Sequence, residues 1–512
     1  MKNILIVIFF FSCCIFSGYS QTVSPRNIPE NLLLQNKEEV FIHYNSTFLL
    51  AGENLYYKFY SLDSDTGKLK DLSKLGYVEL TGQDGSMIFR HQLALENGRG
   101  YGDFLIPATI PSGAYKVIGY TRWMLNAGKD HFFEGDLVII NPYLEDQSQI
   151  QIKDENVSEV EIPENKNSEN IVSGPSGSYS LFTSKDIYKK RENGIVKIVK
   201  LNTNIANGSF SLSIKKLEEY ETPEAIYATT YKEIYQNPGW GVNSNPVLPD
   251  LRGQLVSGKI IREDGGDGLA GRNLVFSIPG ESFFVRIAKT APDGSFSFNM
   301  DTKNFGNRAF LQVMGDTIGD FKILLDELPE IARENLESSQ FTVSPSMAEL
   351  IRQRSIYNQV ENSYAAVKQD SVIPEVPSFP FYGTLPEVYN LDDFTRFPTL
   401  QETFVEIIEM SRIRKMRDGS SRIELLGQGG QEIDPLLIVD GIIVQDHEDL
   451  VHYDARKIKS IGLQREEYYL GPEVFNGMIV VETVNGDFST TLDHDYIKSF
   501  EIKNVLPKKS YF

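Results

Sequence analysis

Short apolar runs alternate with turn signals along residues 28–143, and this pattern predicts antiparallel β-sheet. The runs are rich in aromatic and β-branched residues, as at Leu55–Tyr60 and Leu137–Ile140. Asp84-Gly85 and Asn97-Gly98 are typical turn dipeptides between such runs. Strands at this close spacing are characteristic of a β-sandwich, so we assign the whole region to a first sandwich.

Two further β units follow. Within residues 176–247, Ser209–Ile214 alternates polar and apolar residues, which predicts a half-buried strand in another sandwich. Residues 251–330 contain strand-like runs around a glycine-rich turn at 265–271. That turn lacks the Gly-x-x-x-x-Gly-Lys-Ser/Thr pattern of a phosphate-binding loop, and no helical pattern follows it. We therefore interpret it as a plain loop in a third sandwich.

The pattern changes class in the last third of the chain. Residues 344–386 predict a helix followed by a proline-rich connector. Residues 387–485 mix helical and strand patterns, and a capping box at Thr399–Glu402 begins a helix that we expect to reach Met410. The predicted fold class is mainly β, with tandem immunoglobulin-like β-sandwich domains followed by a small α+β domain.

Acidic residues outnumber basic ones. The 512-residue chain has 70 Asp and Glu against 50 Lys and Arg, a net charge of -20. This excess argues against a nucleic-acid-binding protein, which normally presents a basic face. Part of the excess lies in residues 144–175, where eight acidic residues face two lysines. We interpret this stretch as an acidic linker, and an acidic binding tail is the alternative.

Residues 1–20 have the layout of a secretory signal peptide. Lys2 precedes the apolar run Ile4–Phe11, and Gly18–Ser20 places small residues before a cut at Gln21. The apolar run is too short for a membrane-spanning helix. We therefore expect an exported protein of the periplasm or the outer membrane, with the cell surface as a further location.

Both cysteines, Cys13 and Cys14, lie inside this predicted signal peptide. A chain cut at Gln21 would contain no cysteine, which excludes disulfide bonds and thiol catalysis. The alternative is lipidation at Cys13 or Cys14, although the residues before them fit a lipobox poorly.

Three motifs within residues 387–485 occur in an order that resembles the plug domain of TonB-dependent outer-membrane receptors of Bacteroidota. An apolar strand ends in Asp-Gly at Pro435–Gly441, an Ile-x-Ser-Ile strand follows at Ile458–Ile461, and an Asn-Gly turn leads into a strand at Phe475–Val481. The resemblance implies a plug-like α+β domain. It marks these residues as structural or interaction positions: Asp440, Gly441, Phe475, Asn476 and Gly477.

Two of the β units resemble domains that accompany such plugs. Residues 251–330 are similar to the carboxypeptidase-regulatory-like domain in their Gly268–Gly271 and Asp293-Gly294 turns. Residues 28–143 are similar to the macroglobulin-type sandwich, for example at Tyr120–Trp123. Together these units look like the periplasmic N-terminal part of a TonB-dependent receptor-like protein.

The receptor pattern does not continue into a barrel. Residues 486–512 are too few for one, because each spanning strand needs about 9–11 residues. We expect this segment to be a C-terminal tail, so that the plug-like domain is free-standing or serves a barrel made by another protein. The predicted role is a non-enzymatic accessory protein that docks on an outer-membrane β-barrel complex for transport, assembly or export, with peripheral membrane association.

Residues 446–454 hold the densest group of acidic residues and histidines. His447 and His452 with a nearby carboxylate would be metal ligands in a hydrolase. Their spacing differs from His-Glu-x-x-His, which places both histidines on one helix face. The alternative is an exposed loop and helix N-terminus, where the helix dipole favours carboxylates. We favour that alternative and assign no catalytic, metal-binding or cofactor-binding residue and no cofactor.

Arg412, Arg414, Lys415 and Arg417 form a basic cluster in an otherwise acidic chain. They are candidates for contact with lipid headgroups or an acidic partner. The alternative is the exposed end of a helix, where cations suit the helix dipole.

The 25 Tyr and 31 Phe residues leave a second function open. Most of these rings are expected in sandwich cores. Exposed aromatic platforms on one sheet face would instead favour a carbohydrate- or surface-polymer-binding β-sandwich protein.

Overall fold

β-Strands dominate the computed structural model of this chain. The described residues are 36–152, 179–189, 192–200, 209–216, 220, 222–228, 231, 240, 246–262, 265–266, 269–280, 283–301, 306–315, 321–327, 341–364, 369–374 and 380–511. Strands far outnumber α-helices among them, which confirms the mainly β class. The predicted signal peptide, most of the acidic linker and part of the glycine-rich turn lie outside the described residues.

The first sandwich encloses one apolar core between two sheets. Its strands are β1 (Glu38–Tyr44), β2 (Phe48–Leu50), β3 (Asn54–Asp63), β4 (Leu75–Gly82), β5 (Met87–Ala94), β6 (Arg99–Leu105), β7 (Gly113–Tyr120) and β8 (Phe133–Ile140). The sheet orders are β1-β3-β6 and β2-β8-β7-β4-β5, and only β2 with β8 is parallel. In β3 the buried Leu55, Tyr57 and Phe59 alternate with Tyr56 and Lys58. This alternation places Tyr56 and Lys58 on the outer face of the three-stranded sheet.

The chain leaves this sandwich through residues 144–152, which the acidic composition predicts to be linker. Ile150 is buried there beside Val138 and Ile351. Strand β9 (Gln151–Ile152) pairs in parallel with β18 (Thr342–Val343). The linker prediction is wrong for this part because its partners include Ile351 and β18, which lie far along the chain.

Among the described residues of 176–247, the predicted sandwich is absent. They contain one two-stranded sheet, formed by β10 (Tyr179–Thr183) and β11 (Val196–Lys200). The strand predicted at Ser209–Ile214 is not a strand, and Lys58 Nζ of the first sandwich donates to the carbonyl of Phe210 instead. The serines of this segment are the more buried set, and its apolar residues are exposed. The alternation correctly predicted that the segment has a polar and an apolar face. It wrongly predicted that the apolar face would be the buried one.

The second sandwich lies at 255–325. Its strands are β12 (Leu255–Arg262), β13 (Asn273–Ile278), β14 (Phe284–Lys289), β15 (Ser295–Asn299), β16 (Arg308–Val313) and β17 (Phe321–Leu325). One sheet has the order β15-β12-β17, and the other has the order β14-β13-β16 with a fourth strand from the C-terminal segment. Phe276, Phe298 and Leu311 pack in the core between them.

Helix α1 (Pro345–Ser363) is anchored on the first sandwich and is followed by β19 (Ser371–Val372). Ser344 Oγ caps the helix by accepting from the Met347 N–H at 3.3 Å. The Arg354 guanidinium donates to both carboxylate oxygens of Glu53 at 2.8 Å. Among the described residues, no helix combines the length and apolar character that crossing a membrane requires.

An α+β unit occupies residues 387–492. Its elements are β20 (Glu387–Asn390), α2 (Leu400–Glu406), β21 (Ser411–Lys415), β22 (Ser421–Leu426), β23 (Glu432–Ile433), β24 (Leu436–Val439), β25 (Ile442–Ile443), α3 (Glu448–Val451), β26 (Ile458–Gln464), β27 (Tyr468–Leu470), β28 (Glu473–Phe475) and β29 (Met478–Thr483). The main sheet has the order β20-β26-β29-β24-β25, with β24 parallel to β29. Smaller sheets are β21-β22-β23 and β27-β28.

Thr399 caps α2 as predicted, with its Oγ1 accepting from the Glu402 N–H at 3.2 Å. The helix ends at Glu406 and not at Met410. The Met410 carbonyl already accepts from the Leu426 N–H at 2.8 Å, so the chain has entered the β21–β22 hairpin.

The second sandwich and the α+β unit share a buried apolar contact. The outer face of the β13–β14–β16 sheet contributes Val275, Val285 and Ile287. The main sheet of the α+β unit meets it with Ile438 and Val480. The β13–β14–β16 sheet is therefore covered on both faces, since its other face packs in the core of the second sandwich.

A buried glutamine fixes the alignment of these two units. Gln312, beside Val275 in the sheet, is 1% exposed. It donates to the Ile443 carbonyl at 2.7 Å and accepts from Gln445 Nε2 at 3.0 Å. A buried amide is stable only when it is hydrogen-bonded, so these bonds are satisfied in one arrangement of the two sheets.

Residues 486–511 pack against both sandwiches, whereas the prediction for 486–512 was a C-terminal tail. Strand β30 (Ile497–Glu501) joins the second sandwich beside β16, and Ile502 is buried in that core. Strand β31 (Lys509–Ser510) pairs with β19 next to the first sandwich. Its two strands could not be placed from local patterns because both pairing partners, β16 and β19, lie far from it along the chain.

A buried acid links the two sandwiches. Asp250 is 0% exposed, and its carboxylate accepts from Tyr77 Oη at 2.8 Å and from the Leu255 N–H at 3.1 Å. Arg122 donates to the Leu255 carbonyl at 2.8 Å. Burial raises the pKa of Asp250 to about 6, although Arg122 opposes that rise.

We expect Val285→Asp to lower the midpoint of thermal unfolding by roughly 6 °C or more, because it buries an unpaired charge between the two units. The matched control is Leu324→Asp, at a position of the same sandwich that is 44% exposed, and its effect should stay within about 2 °C. Equal effects in calorimetry would show that the contact is not buried in solution.

We expect Asp250 to make stability depend on pH. Its raised pKa means that the folded chain binds this proton more tightly than the unfolded chain, so the contribution is present near pH 4 and is lost as pH rises through 6. Relative to Asp250→Asn, the wild type should lose on the order of 3 kcal/mol of unfolding free energy between pH 4 and 7. Denaturant titrations with parallel pH profiles would contradict this assignment.

Candidate functional site

Asp440 and Gly441 form the turn between β24 and β25. Both have positive φ angles, 49° and 84°, which suits an Asp-Gly hairpin turn. The Asp440 carboxylate accepts from Thr483 through its N–H at 2.8 Å and its Oγ1 at 2.6 Å. It also accepts from the Phe488 N–H at 3.2 Å. This carboxylate therefore ties the turn to the end of β29.

Gly441 lies against the second sandwich. A Cβ at this position would be 2.4 Å from Phe283 Cβ, so only glycine allows this approach. Phe475 is half-buried in the same contact between the units. These two predicted motif residues thus stabilise the assembly of this chain.

Asn476 and Gly477 precede β29. Gly477 is buried with φ of 147°, and a Cβ there would meet Ile433 and Leu425 at 2.9 Å. Its carbonyl accepts from the Leu436 N–H at 2.9 Å. Asn476 is exposed, so it alone of the predicted motif residues faces solvent.

The basic cluster lies on a β-hairpin and not at the end of a helix. Arg412 and Arg414 are on β21, and both reach Glu424 on β22 and Glu432 on β23. Neighbouring strands provide these pairs because residues two apart project from the same face of β21. Arg412 and Arg414 are thus neutralised by this chain's own carboxylates, which weakens their candidacy as partner contacts.

Lys415 and Arg417 are the remaining members of the cluster. They flank Met416 where β21 passes into the turn of the hairpin, and all three side chains are exposed. Within the described part of the chain, neither Lys415 nor Arg417 makes an ion pair. The hairpin tip therefore presents two cations around an apolar side chain.

The two histidines singled out at 446–454 have separate partners. His447 Nδ1 accepts from the Ile423 N–H at 2.9 Å, which fastens the hairpin to α3. Burial and the nearby Arg422 lower the pKa of His447, so the ring is neutral at pH 7. His452 is exposed and contacts Glu448. The structure does not bring both imidazoles to one ligand site.

A different triad lies beside them. Asp446, Asp449 and His494 each place one possible ligand atom within 4.8 Å of the others. Among the described residues, this is the group of carboxylates and imidazoles that is close enough to hold a metal ion. His494 Nε2 is 2.8 Å from Asp449 Oδ2. This pair joins the segment after β29 to α3, so a structural role accounts for it without an ion.

A tyrosine-lined cleft crosses the outer face of the three-stranded sheet of the first sandwich. It joins two grooves of about 870 and 1250 Å³ that share Asn45, Asn54, Tyr56, Ile214 and Asn362. We call it the tyrosine cleft. Its exposed rings come from β3, β6, α1 and the C-terminal end: Tyr56, Tyr101, Tyr357 and Tyr511.

Three of these rings form an angled wall. Tyr511 lies 5.3 Å from Tyr56 at 85° and 6.2 Å from Tyr101 at 65°. Asp103 fixes this corner by accepting from Lys509 Nζ at 2.9 Å and from Tyr511 Oη at 3.1 Å. Strand alternation could have indicated that Tyr56 and Tyr101 face outward. It could not have indicated that Tyr511 packs against them, because that contact depends on the tertiary fold.

Comparisons with known proteins assign no family. No family model and no curated protein matches the chain. Among the similar solved structures is native alpha-2-macroglobulin from Escherichia coli, with 11% sequence identity and a TM-score of 0.18 over 93% of this chain and 21% of that chain. The same protein activated by porcine elastase has 9% identity and a TM-score of 0.18 over 59% of this chain and 31% of that chain. Dimeric latent PorU from Porphyromonas gingivalis is also similar, with 10% identity and a TM-score of 0.18 over 57% of this chain and 33% of that chain.

This chain spans about a fifth to a third of the length of those proteins. At these TM-scores, the β-sandwich class rests on the strands described above. The macroglobulin-type, carboxypeptidase-regulatory-like and plug-like resemblances stay predictions.

We expect Asp440→Ala to destabilise the protein by about 1–3 kcal/mol, because it leaves two backbone N–H donors without their acceptor. Asp440→Asn should cost less, since Asn tolerates positive φ and keeps one acceptor. The control is Asp418→Ala, which removes the same kind of carboxylate from an exposed turn where Ser420 is its partner. Denaturant unfolding in which Asp418→Ala costs as much as Asp440→Ala would contradict the role of Asp440.

Proposed function

We propose that this chain is a non-enzymatic, exported accessory protein that docks its α+β unit on an outer-membrane β-barrel protein. The order of plug-like motifs in 387–485 supports the kind of partner. The role would be in transport, assembly or export at the barrel, with the chain held peripherally at the membrane.

The observation that carries the proposal is the hairpin tip of the α+β unit. Met416 is 37% exposed between the cations of Lys415 and Arg417. An apolar side chain flanked by cations suits a surface that is acidic at its rim and apolar within, such as the mouth of a barrel among anionic headgroups. Arg412 and Arg414 precede the tip on β21 and form ion pairs with Glu424 and Glu432 on the neighbouring strands.

The α+β unit that carries this tip is held in a fixed position on the second sandwich. The α+β unit is held to the second sandwich by a buried sheet contact and by strand β30. A second exposed apolar pair, Tyr469 and Val474, lies cross-strand on the β27–β28 hairpin of the same unit. Since the unit does not have to be ordered on binding, docking would cost little conformational entropy.

The test is site-specific photo-crosslinking in cells that make the full chain. A crosslinking residue at position 417 should capture an outer-membrane β-barrel protein, identified by mass spectrometry. The same residue at Lys322, exposed on the second sandwich, is the matched control and should not capture it. Capture of soluble proteins alone from position 417 would overturn the proposal.

We expect Lys415→Glu combined with Arg417→Glu to reduce the crosslinking yield from position 469 several-fold, because the reversed charges repel an acidic rim. Lys322→Glu with Lys503→Glu changes the net charge equally at exposed sites elsewhere and should leave the yield unchanged. Equal losses in both double variants would mean that net charge, and not the hairpin tip, determines capture.

A further inference from the structure

We propose that the tyrosine cleft is a binding site for a neutral oligosaccharide. The cleft lies on the first sandwich and its assignment is independent of the docking role of the α+β unit. Its shape, its aromatic rings and its polar lining all bear on the class of ligand.

The rings line both grooves of the cleft. The corner formed by Tyr56, Tyr101 and Tyr511 occupies one groove, and Tyr357, which is 71% exposed on α1, occupies the other. Each corner ring is 37–41% exposed although its neighbours on the sheet are packed. Exposed ring faces at two separated points suit the apolar C–H faces of successive sugar units.

Neutral hydrogen-bonding groups line the space between the rings. They are amides and hydroxyls from β3, from residues 209–216, from α1 and from the stretch before β19: Asn54, Ser211, Ser213, Asn362 and Gln369. Such groups donate and accept without charge, which matches sugar hydroxyls. Ser213 contacts His43 Nε2 at 3.3 Å and Asn362 donates to the Gly52 carbonyl at 2.9 Å, so each keeps only part of its hydrogen-bonding capacity for a ligand. An apolar chain would leave that remaining capacity unpaired, so a lipid is a poorer fit.

Two of the cations that line the cleft form ion pairs within the protein. Lys509 pairs with Asp103 at 2.9 Å, and Arg354 pairs with Glu53 at 2.8 Å. Lys58 Nζ donates to the Phe210 carbonyl at 3.0 Å. Lys215 and Lys216 line one groove, and Glu361 and Asp370 line the other. The cleft therefore carries both signs of charge and offers no uniformly basic track for an anionic polymer, which favours an uncharged ligand.

The walls of the cleft are pre-organised by hydrogen bonds and strand pairing within the protein. Asn358 and Asn362 of α1 donate to the carbonyls of Ala51 and Gly52 at 3.1 and 2.9 Å. The pairing of β19 with β31 holds Lys509 and hence the neighbouring Tyr511. A pre-formed cleft loses little entropy on binding a flexible sugar chain.

The experiment measures binding of the full chain to soluble laminarin, dextran, mannan and xyloglucan by affinity electrophoresis and calorimetry, with alginate as the anionic comparison. At least one neutral glycan should bind. Tyr101→Ala and Tyr357→Ala should each weaken that binding about tenfold. Tyr101→Phe keeps the ring and should stay within about threefold of wild type.

Tyr469→Ala is the matched control, because Tyr469 is 68% exposed but lies on the α+β unit. It should leave glycan binding unchanged. Unaltered thermal unfolding of the variants would separate lost binding from lost folding. The proposal is overturned if no neutral glycan binds, if alginate alone binds, or if Tyr469→Ala weakens binding as much as Tyr101→Ala.

Discussion

The structure depends on one sheet that is buried on both faces. The strands β13, β14 and β16 present Phe276 and Leu311 to their own sandwich and Val275 and Val285 to the α+β unit. Burial of apolar surface on both sides removes the freedom that a linker would otherwise allow. The amide of Gln312, satisfied across the contact, then selects one alignment of the two units.

The C-terminal segment extends this constraint to the first sandwich. After adding β30 beside β16, the chain continues to β31 and fixes Lys509 on Asp103. Helix α1 makes an independent attachment to the first sandwich through Arg354 and Glu53. The surfaces of the molecule are therefore assembled from segments that are remote in sequence.

This arrangement changes the meaning of the motif residues. Asp440, Gly441 and Gly477 are required by turn geometry and by the close approach of Phe283, Leu425 and Ile433. A motif of this kind marks how a unit is built and mounted. The two surfaces that we propose for other molecules, the hairpin tip at Met416 and the tyrosine cleft, contain none of the motif residues.

Local patterns in the sequence determined the elements that depend on neighbouring residues. The strand character of Leu55–Tyr60 and the caps at Ser344 and Thr399 follow from side-chain alternation and from hydrogen bonds within one turn. The Asp-Gly turn at 440–441 is a local signal of the same kind.

Only the tertiary structure decided what those local elements meet. The alternation at Ser209–Ile214 was real, but no strand among the described residues pairs with it. Ser209 and Ser213 instead contact Arg99 and His43 of the first sandwich. Arg412 and Arg414 form ion pairs with carboxylates on adjacent strands. Residues 486–511 contribute strands to two different sheets. The meeting of Tyr56, Tyr101 and Tyr511 likewise has no local signature, because pairing and ring contacts between distant segments are set by the packing of whole sheets.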